Sequence, residues 1–244
     1  MRLAYLLVTG SLTACAAATP TVPVAPSPQA ARPTLPGALR WMRRSAEYQA
    51  ITRQTYAVAA ERLSGLTQGL AAGAWAVILD ADETVLENSE YERGRAELDS
   101  GFTEASWSAW VREEAARPVP GAAAYTATVR RLGGRVVIVT NRADSLCAET
   151  RANLDRLGIG TDLVLCQAPG EPDKNPRFAR VQQGTASATL PPLTVVEWLG
   201  DNIQDFPHLT QAVRTDSAAL ADFGRIYFVL PNPMYGSWER NTAP

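Results

Sequence analysis

The chain has 244 residues, with 23 Lys and Arg residues against 25 Asp and Glu residues, one His and three Cys. This length suits one large α/β domain, and the near-balanced charge argues against a nucleic-acid partner that needs a broad basic face. The single His208 excludes mechanisms that need two or more His residues, and three Cys are too few for a four-Cys zinc site. The chemistry therefore has to rest on carboxylates, Lys, Arg and hydroxyl groups.

The N-terminus has the pattern of an export signal followed by a tether. Its first apolar run is too short to span a bilayer. The segment Leu12-Thr13-Ala14-Cys15 resembles the lipobox of bacterial lipoproteins, which implies acylation of Cys15; an ordinary signal peptide is the alternative. An Ala-, Pro- and Thr-rich stretch follows, as in an extended, disordered tether. We predict a signal peptide over 1–14, a lipidated tether over 15–37, a folded domain over 38–244, and lipid anchoring in the bacterial cell envelope, with the outer membrane as the expected location.

The rest of the chain alternates between helical and strand-like patterns. Apolar residues recur at helical spacing over 38–70. Short apolar runs predict strands at 75–79, 135–139, 163–165, 194–199 and 226–230. Further helices are predicted at 121–132, 145–157, 177–183 and 209–222. This alternation predicts an α/β fold with a doubly wound parallel sheet. The stretch from about 85 to 120 interrupts the alternation, and we interpret it as an inserted α-helical cap.

Polar residues follow three of the predicted strands. Asp80 and Asp82 come after the first strand, Thr140 after the second and Asp201 after the fourth. Ligands of open α/β sheets bind beyond the carboxyl ends of the strands, so we expect these side chains to meet. Two close carboxylates repel each other unless a cation lies between them or one is protonated. Oxygen ligands without His favour Mg²⁺, and one carboxylate can attack phosphorus while the other donates a proton.

Other polar residues lie in the same loops. Thr140, Asn141 and Arg142 are predicted to bind a phosphate at a helix N-terminus, with local turn bonding as the alternative for the last two. Lys174 supplies an ammonium group that would offset negative charge. Asp205 is predicted to bind the metal or to support a metal ligand, with helix capping as the alternative.

Taken in order, these segments resemble motifs I to IV of the haloacid dehalogenase (HAD) superfamily phosphatases. More narrowly, the chain resembles the class C nonspecific acid phosphatases, a family of bacterial outer-membrane lipoproteins with 5'-nucleotidase members. The segments that carry the resemblance are Asp80-Ala81-Asp82-Glu83-Thr84 with Asn88-Ser89, Val139-Thr140-Asn141-Arg142, Lys174 with Arg177-Phe178, Gly200-Asp201-Asn202 with Asp205-Phe206, and residues 230–239.

The resemblance implies a HAD-like fold and Mg²⁺-dependent hydrolysis of phosphate monoesters through an aspartyl-phosphate. It implies that Asp80 is the nucleophile, that Asp82 is the general acid, and that Thr140 and Lys174 stabilise the phosphoryl group. The implied metal ligands are Asp80, Asp201 and the backbone carbonyl of Asp82.

The remaining roles implied by the resemblance concern the neighbours of the metal and the leaving group. Asn202 and Asp205 would lie beside the metal. Trp107 and Tyr235 would contact the leaving group, with Tyr91 as a further candidate and core packing as the alternative. Nucleoside monophosphates are the implied substrates, and the family also includes homodimers.

Three questions stay open at the level of sequence. A phosphotransferase would use the same residues with an acceptor other than water. A non-catalytic lipoprotein module on the same fold is a further alternative, against which the intact Asp80 and Asp82 argue. Export permits a disulfide between Cys147 and Cys166, but we favour two separate buried thiols because sequence does not give the distance between them.

Overall fold

Five parallel strands form the central sheet of the protein. The computed structural model describes residues 34–242, so the predicted signal peptide, Cys15 and most of the tether lie outside the described residues. The strands are β1 Trp75–Leu79, β4 Arg135–Ala143, β5 Leu163–Gln167, β6 Thr194–Gly200 and β7 Tyr227–Val229. Their order across the sheet is β5-β4-β1-β6-β7. The predicted α/β fold with a parallel sheet is confirmed.

Helices cover both faces of this sheet. The covering helices are α2 Ala46–Leu66, α5 Ala122–Arg131 and α6 Cys147–Arg156 on one face, and α7 Asn175–Gln183 on the other, where residues 203–223 complete the layer. Strand β1 is buried along its whole length because Val77 and Leu79 pack against the first layer and Ala76 and Ile78 against the second. The sheet is therefore doubly wound, as its unbroken apolar strands predict.

The insertion between β1 and α5 contains two helices and a short ribbon. The helices are α3 Ser89–Glu97 and α4 Glu104–Glu113. The ribbon pairs β2 Leu86–Glu87 with β3 Arg117–Pro118 in antiparallel fashion, and it brings the two ends of the insertion together. The helices agree with the predicted cap, but two residues per strand are too few to give the ribbon a recognisable alternation.

Two predicted helices differ from the observed elements. Residues 38–70 form α1 Gly37–Arg44 and α2 rather than one helix, because Ser45 is extended and its hydroxyl accepts a hydrogen bond from the Tyr48 N–H at 3.0 Å. The predicted helix over 209–222 is wrong. Only the 3₁₀ turn Gln211–Thr215 forms there. The Asp216 carboxylate accepts hydrogen bonds from two backbone N–H groups, at 3.0 and 3.2 Å, and these N–H groups are then not available for helical hydrogen bonds. Among residues 34–242, every helix is too short or too polar to cross a bilayer.

A disulfide joins Cys147 to Cys166, so the expectation of two separate thiols is wrong. Cys147 is the first residue of α6 and Cys166 lies in β5. Because α6 packs against β5, the two Cα atoms come within 5.9 Å, a separation that a disulfide spans. The bond links α6, which follows the segment of Thr140, to β5, which precedes the loop of Lys174.

We expect the Cys147→Ser/Cys166→Ser double variant to lose about 3 kcal/mol of its free energy of unfolding. The bond closes a chain segment of 19 residues, and opening it gives conformational freedom back to the unfolded chain. Urea unfolding followed by circular dichroism measures the loss. A reductant should lower the stability of the wild type to the same level and leave the variant unchanged. A double variant as stable as the oxidised wild type would contradict the prediction.

Candidate active site

All the predicted catalytic, metal and substrate residues except Tyr91 converge on one cleft of about 780 Å³ at the carboxyl ends of β1, β4 and β6. The predicted residues that line it are Asp80, Asp82, Trp107, Thr140, Asn141, Arg142, Lys174, Asp201, Asn202, Asp205 and Tyr235. They come from six segments that lie far apart in the sequence, including helix α4 for Trp107 and the end of β4 for Thr140, Asn141 and Arg142. The strand order explains their meeting, because β1 lies between β4 and β6 and all strands run in the same direction.

A buried ammonium group joins two of the carboxylates. The Nζ of Lys174, the single Lys of the chain, donates to Asp80 Oδ1 at 2.5 Å and to Asp205 Oδ1 at 2.6 Å. All three side chains are at least 90% buried. The predicted proximity of Lys174 to the first and fourth motifs is therefore present in the structure.

Asp201 lies beside this pair and has its own polar partners. Its Oδ2 accepts a hydrogen bond from Asn232 at 2.9 Å, and its Oδ1 accepts a longer one from the Thr84 hydroxyl at 3.4 Å. One carboxylate oxygen from each of Asp80, Asp201 and Asp205 lies within 4.8 Å of the others. The three oxygens form a compact group to which an oxygen-seeking cation could bind.

The charges of this group are out of balance. Burial raises the pKa of Asp80 to about 7, against the lowering effect of Lys174, and neighbouring Asp205 and Asp82 raise it further. Burial, followed by the charges of Asp205 and Asp80, raises the pKa of Asp201 well above its usual range. Burial alone would lower the pKa of Lys174, but Asp205 and Asp80 outweigh it, so its pKa is raised and the ammonium stays charged. One ammonium cannot neutralise three carboxylates, and a divalent cation fits the remaining charge and the all-oxygen donors.

The turn after β6 holds Asp205 close to the strand end. The Asn202 side chain accepts from the Gln204 N–H at 3.1 Å, and Asp205 Oδ2 accepts from the Asn202 N–H at 2.9 Å. A Cβ on Gly200 would lie 2.2 Å from the Cβ of Asp205, so only glycine permits this approach. Asp205 thus caps the turn with one oxygen, as the capping alternative predicts, and accepts from Lys174 with the other; its role beside a metal stays a prediction.

Asp82 faces a different set of partners. The buried guanidinium of Arg142 donates to both of its carboxylate oxygens, with a shortest distance of 2.7 Å from Nη2. The amide of Asn88 donates to Asp82 Oδ1 at 2.8 Å. The Asp82 side chain lines the cleft but is not part of the three-carboxylate group, and the Arg142 side chain pairs with Asp82, a contact that neither sequence-based interpretation of Arg142 predicted.

The second motif is not at a helix N-terminus, contrary to the sequence-based expectation. Strand β4 continues through Ala143, and α6 begins only at Cys147. Thr140 is buried and its Oγ1 accepts from the Arg142 N–H at 3.1 Å, so its own hydrogen can be donated to a ligand. Asn141 uses its side chain locally, since it donates to the Pro172 carbonyl at 3.0 Å and accepts from Arg177.

Three aromatic side chains line the cleft, two from the cap insertion and one from the C-terminal segment. Trp107 and Tyr235 line it as predicted, and the exposed Phe102 lines it as well. Tyr91 instead lies buried behind Trp107, with their ring centroids 5.1 Å apart, and its hydroxyl is paired with Ser106. The core-packing alternative therefore describes Tyr91 better than a leaving-group contact.

Sequence reasoning missed three residues that support the site. Asn88 holds Asp82, Asn232 holds Asp201, and Arg177 donates to the Thr140 carbonyl at 2.5 Å. Each of them belongs to a segment that carries the family resemblance, namely 88–89, 230–239 and 177–178. The signal that could have identified them is the family resemblance, which extends to residues without an evident catalytic role.

Comparison with known proteins identifies a family and similar solved structures. The model of the HAD superfamily, subfamily IIIB (acid phosphatase), matches residues 6–238. The chain is similar to the class C acid phosphatase from Bacillus anthracis, with 27% sequence identity and a TM-score of 0.73, over 83% of this chain and 85% of that chain. A second structure of the Bacillus anthracis protein, with tungstate bound, matches with the same values.

Proposed function

Because the chain belongs to subfamily IIIB of the HAD superfamily and is an acid phosphatase that hydrolyses phosphate monoesters, we propose that it does so with Mg²⁺ and through a phosphorylated Asp80. The observation that carries the proposal is the compact group of Asp80, Asp201 and Asp205, of which only Asp80 and Asp205 are paired with the Lys174 ammonium. The excess negative charge of these three carboxylates favours the binding of a divalent cation. One of them, Asp80, lies directly after the central strand β1.

In the first step of the proposed reaction, an oxygen of Asp80 attacks phosphorus and the bond from phosphorus to the leaving oxygen breaks. Asp82, protonated for this step, donates its proton to that oxygen, so the product leaves as a neutral alcohol. In the second step water attacks phosphorus, Asp82 takes a proton from it, and the Asp80 carboxylate is released with inorganic phosphate. The position of both side chains on one cleft supports this division of roles.

Lys174 and Thr140 would act on the charge of the phosphoryl group. The Lys174 ammonium already contacts Asp80 at 2.5 Å, so a phosphoryl group on the other Asp80 oxygen would lie within its field. The buried Thr140 hydroxyl can donate to a phosphoryl oxygen. The similar Bacillus anthracis protein binds tungstate, an oxyanion, and this supports an oxyanion such as phosphate as a ligand of the present protein.

The metal would be held by Asp80, Asp201 and the backbone carbonyl of Asp82, with Asp205 and Asn202 beside it. When bound, Mg²⁺ supplies positive charge that neutralises the reacting phosphate oxygens. The Thr84 and Asn232 side chains orient Asp201 for this role.

The proposed substrates carry a flat leaving group, and nucleoside monophosphates are the class that fits best. Trp107, Tyr235 and Phe102 provide aromatic surface on the same cleft as the carboxylates, and rings of this kind stack on a base.

We further propose that the protein is exported and anchored to the cell envelope through an acylated Cys15. The Cys147–Cys166 disulfide supports export, because such bonds persist in oxidising compartments.

Removal of divalent metal tests the proposal. We expect chelation with EDTA to lower the rate of p-nitrophenyl phosphate hydrolysis at least about a hundredfold, because a metal ion contributes several kcal/mol to charge stabilisation. Added Mg²⁺ should restore the rate in the wild type, and the Asp201→Asn variant should need a much higher Mg²⁺ concentration. Full activity in metal-free protein would contradict the metal dependence.

A further inference from the structure

Two tryptophans of one cap helix contact the two residues that hold Asp82. We propose that α4 positions the Asp82 carboxylate for proton transfer, and that Trp110 and Asn88 are positioning residues of the reaction. The proposal rests on the proposed function, because it takes Asp82 as the general acid. It assigns to the cap a role in the chemical step in addition to contact with the leaving group.

The first connection runs through Asn88. The indole Nε1 of Trp110 donates to Asn88 Oδ1 at 2.9 Å, and Asn88 Nδ2 donates to Asp82 Oδ1 at 2.8 Å. The indole N–H of Trp110 and the guanidinium of Arg142 can only donate, so they fix the Asn88 carbonyl oxygen toward themselves and leave Nδ2 facing Asp82. Trp110 and Asn88 are 8% and 0% exposed, and water therefore does not compete for these bonds.

The second connection runs through Arg142. Its guanidinium carbon lies 5.4 Å from the centroid of the Trp107 ring, one turn of α4 before Trp110. The same guanidinium donates to Asp82 at 2.7 Å and to Asn88 Oδ1 at 3.3 Å. Because Trp107 also lines the cleft, one helix contacts both the space for the leaving group and the residues that orient the acid.

Loss of the Trp110 hydrogen bond has a specific consequence for Asp82. Without the indole N–H, Asn88 Oδ1 would keep only the longer bond from Arg142, and the amide could turn away from Asp82. Proton transfer depends steeply on the position of the donor. Leaving groups that need a proton would therefore be affected, whereas p-nitrophenolate leaves without one.

The experiment compares two substrates in the Trp110→Phe variant. We expect the ratio of kcat/KM for glycerol 2-phosphate to kcat/KM for p-nitrophenyl phosphate to fall about tenfold. The matched control is Trp198→Phe. Trp198 is 7% exposed, and its Nε1 has no hydrogen-bond partner in the described part of the chain. This control should keep the wild-type ratio, even if its melting temperature falls as far as that of Trp110→Phe.

A second variant and a cycle keep the test decisive. Asn88→Ser removes the amide but keeps a residue suited to the start of α3, and it should lower the same ratio. In an Asp82→Asn background, Trp110→Phe should no longer change the ratio, because the group that it positions is gone. Equal losses on both substrates, or a change of ratio that persists without Asp82, would overturn the proposal. An inactive wild type would instead overturn the proposed function, and this inference with it.

Discussion

The Asp80→Asn variant is expected to hydrolyse p-nitrophenyl phosphate at least about a thousandfold more slowly than the wild type, because an amide cannot replace the attacking carboxylate. The variant should nevertheless fold. Replacement of one carboxylate by an amide of the same shape reduces the repulsion within the group of Asp80, Asp201 and Asp205. The melting temperature of the metal-free protein should therefore stay unchanged or rise.

Steady-state rates and thermal unfolding of the same preparations measure both effects. The matched control is Asp155→Asn, which makes the same chemical change at an exposed position of α6. It should keep the wild-type rate. Equal rates in Asp80→Asn and wild type would exclude Asp80 as the nucleophile, and a slow variant that is also unfolded would show a structural rather than a chemical role.

The Lys174→Met variant is expected to lose both activity and stability. The ammonium contacts Asp80 at 2.5 Å and Asp205 at 2.6 Å, so its removal leaves buried carboxylates without their counter-charge. Breaking a buried ion pair in this way costs about 3–5 kcal/mol of stability. Loss of the charge that faces the phosphoryl group should also lower kcat at least about a hundredfold.

Metal binding separates this electrostatic account from a simple packing defect. Mg²⁺ should raise the melting temperature of Lys174→Met more than that of the wild type, because the ion replaces part of the missing charge. Arg131→Met, which removes an exposed cation from α5, serves as the control and should change neither property. An equal Mg²⁺ response in Lys174→Met and wild type would contradict the account.

Strand ends were the part of the site that sequence could predict. Asp80 and Asp201 follow mainly apolar runs, which are typical of buried strands. Parallel strands bring their carboxyl ends to the same edge of the sheet, so the two side chains were expected to meet there. The order of the family motifs then identified Lys174 as a site residue, although it lies in a loop with no strong local pattern. The same reasoning correctly brought Thr140 and Asn141 to the cleft but wrongly placed them at a helix N-terminus, since β4 runs four residues beyond its apolar part, to Ala143, before the chain turns.

Contacts between residues that lie far apart in the chain could not be predicted from the sequence. Nothing local distinguishes Tyr91, which packs behind Trp107, from an aromatic residue that faces the cleft. The pairing of Cys147 with Cys166 depends on how α6 packs against β5, a distance that residue types do not encode. The helix predicted over 209–222 failed because the side chain of Asp216 competes for backbone N–H groups, and helical spacing alone does not reveal that competition.

The presence of one lysine in the whole chain makes the catalytic centre selectively observable. Labelling with lysine that carries ¹⁵N at its side chain would produce a single Nζ resonance, free of overlap and already assigned. That nucleus lies between Asp80 and Asp205, so it would report directly on the protonation and occupancy of the cleft. Titrations with Mg²⁺, phosphate or an oxyanion inhibitor can thus be followed at one atom by magnetic resonance, without any mutation.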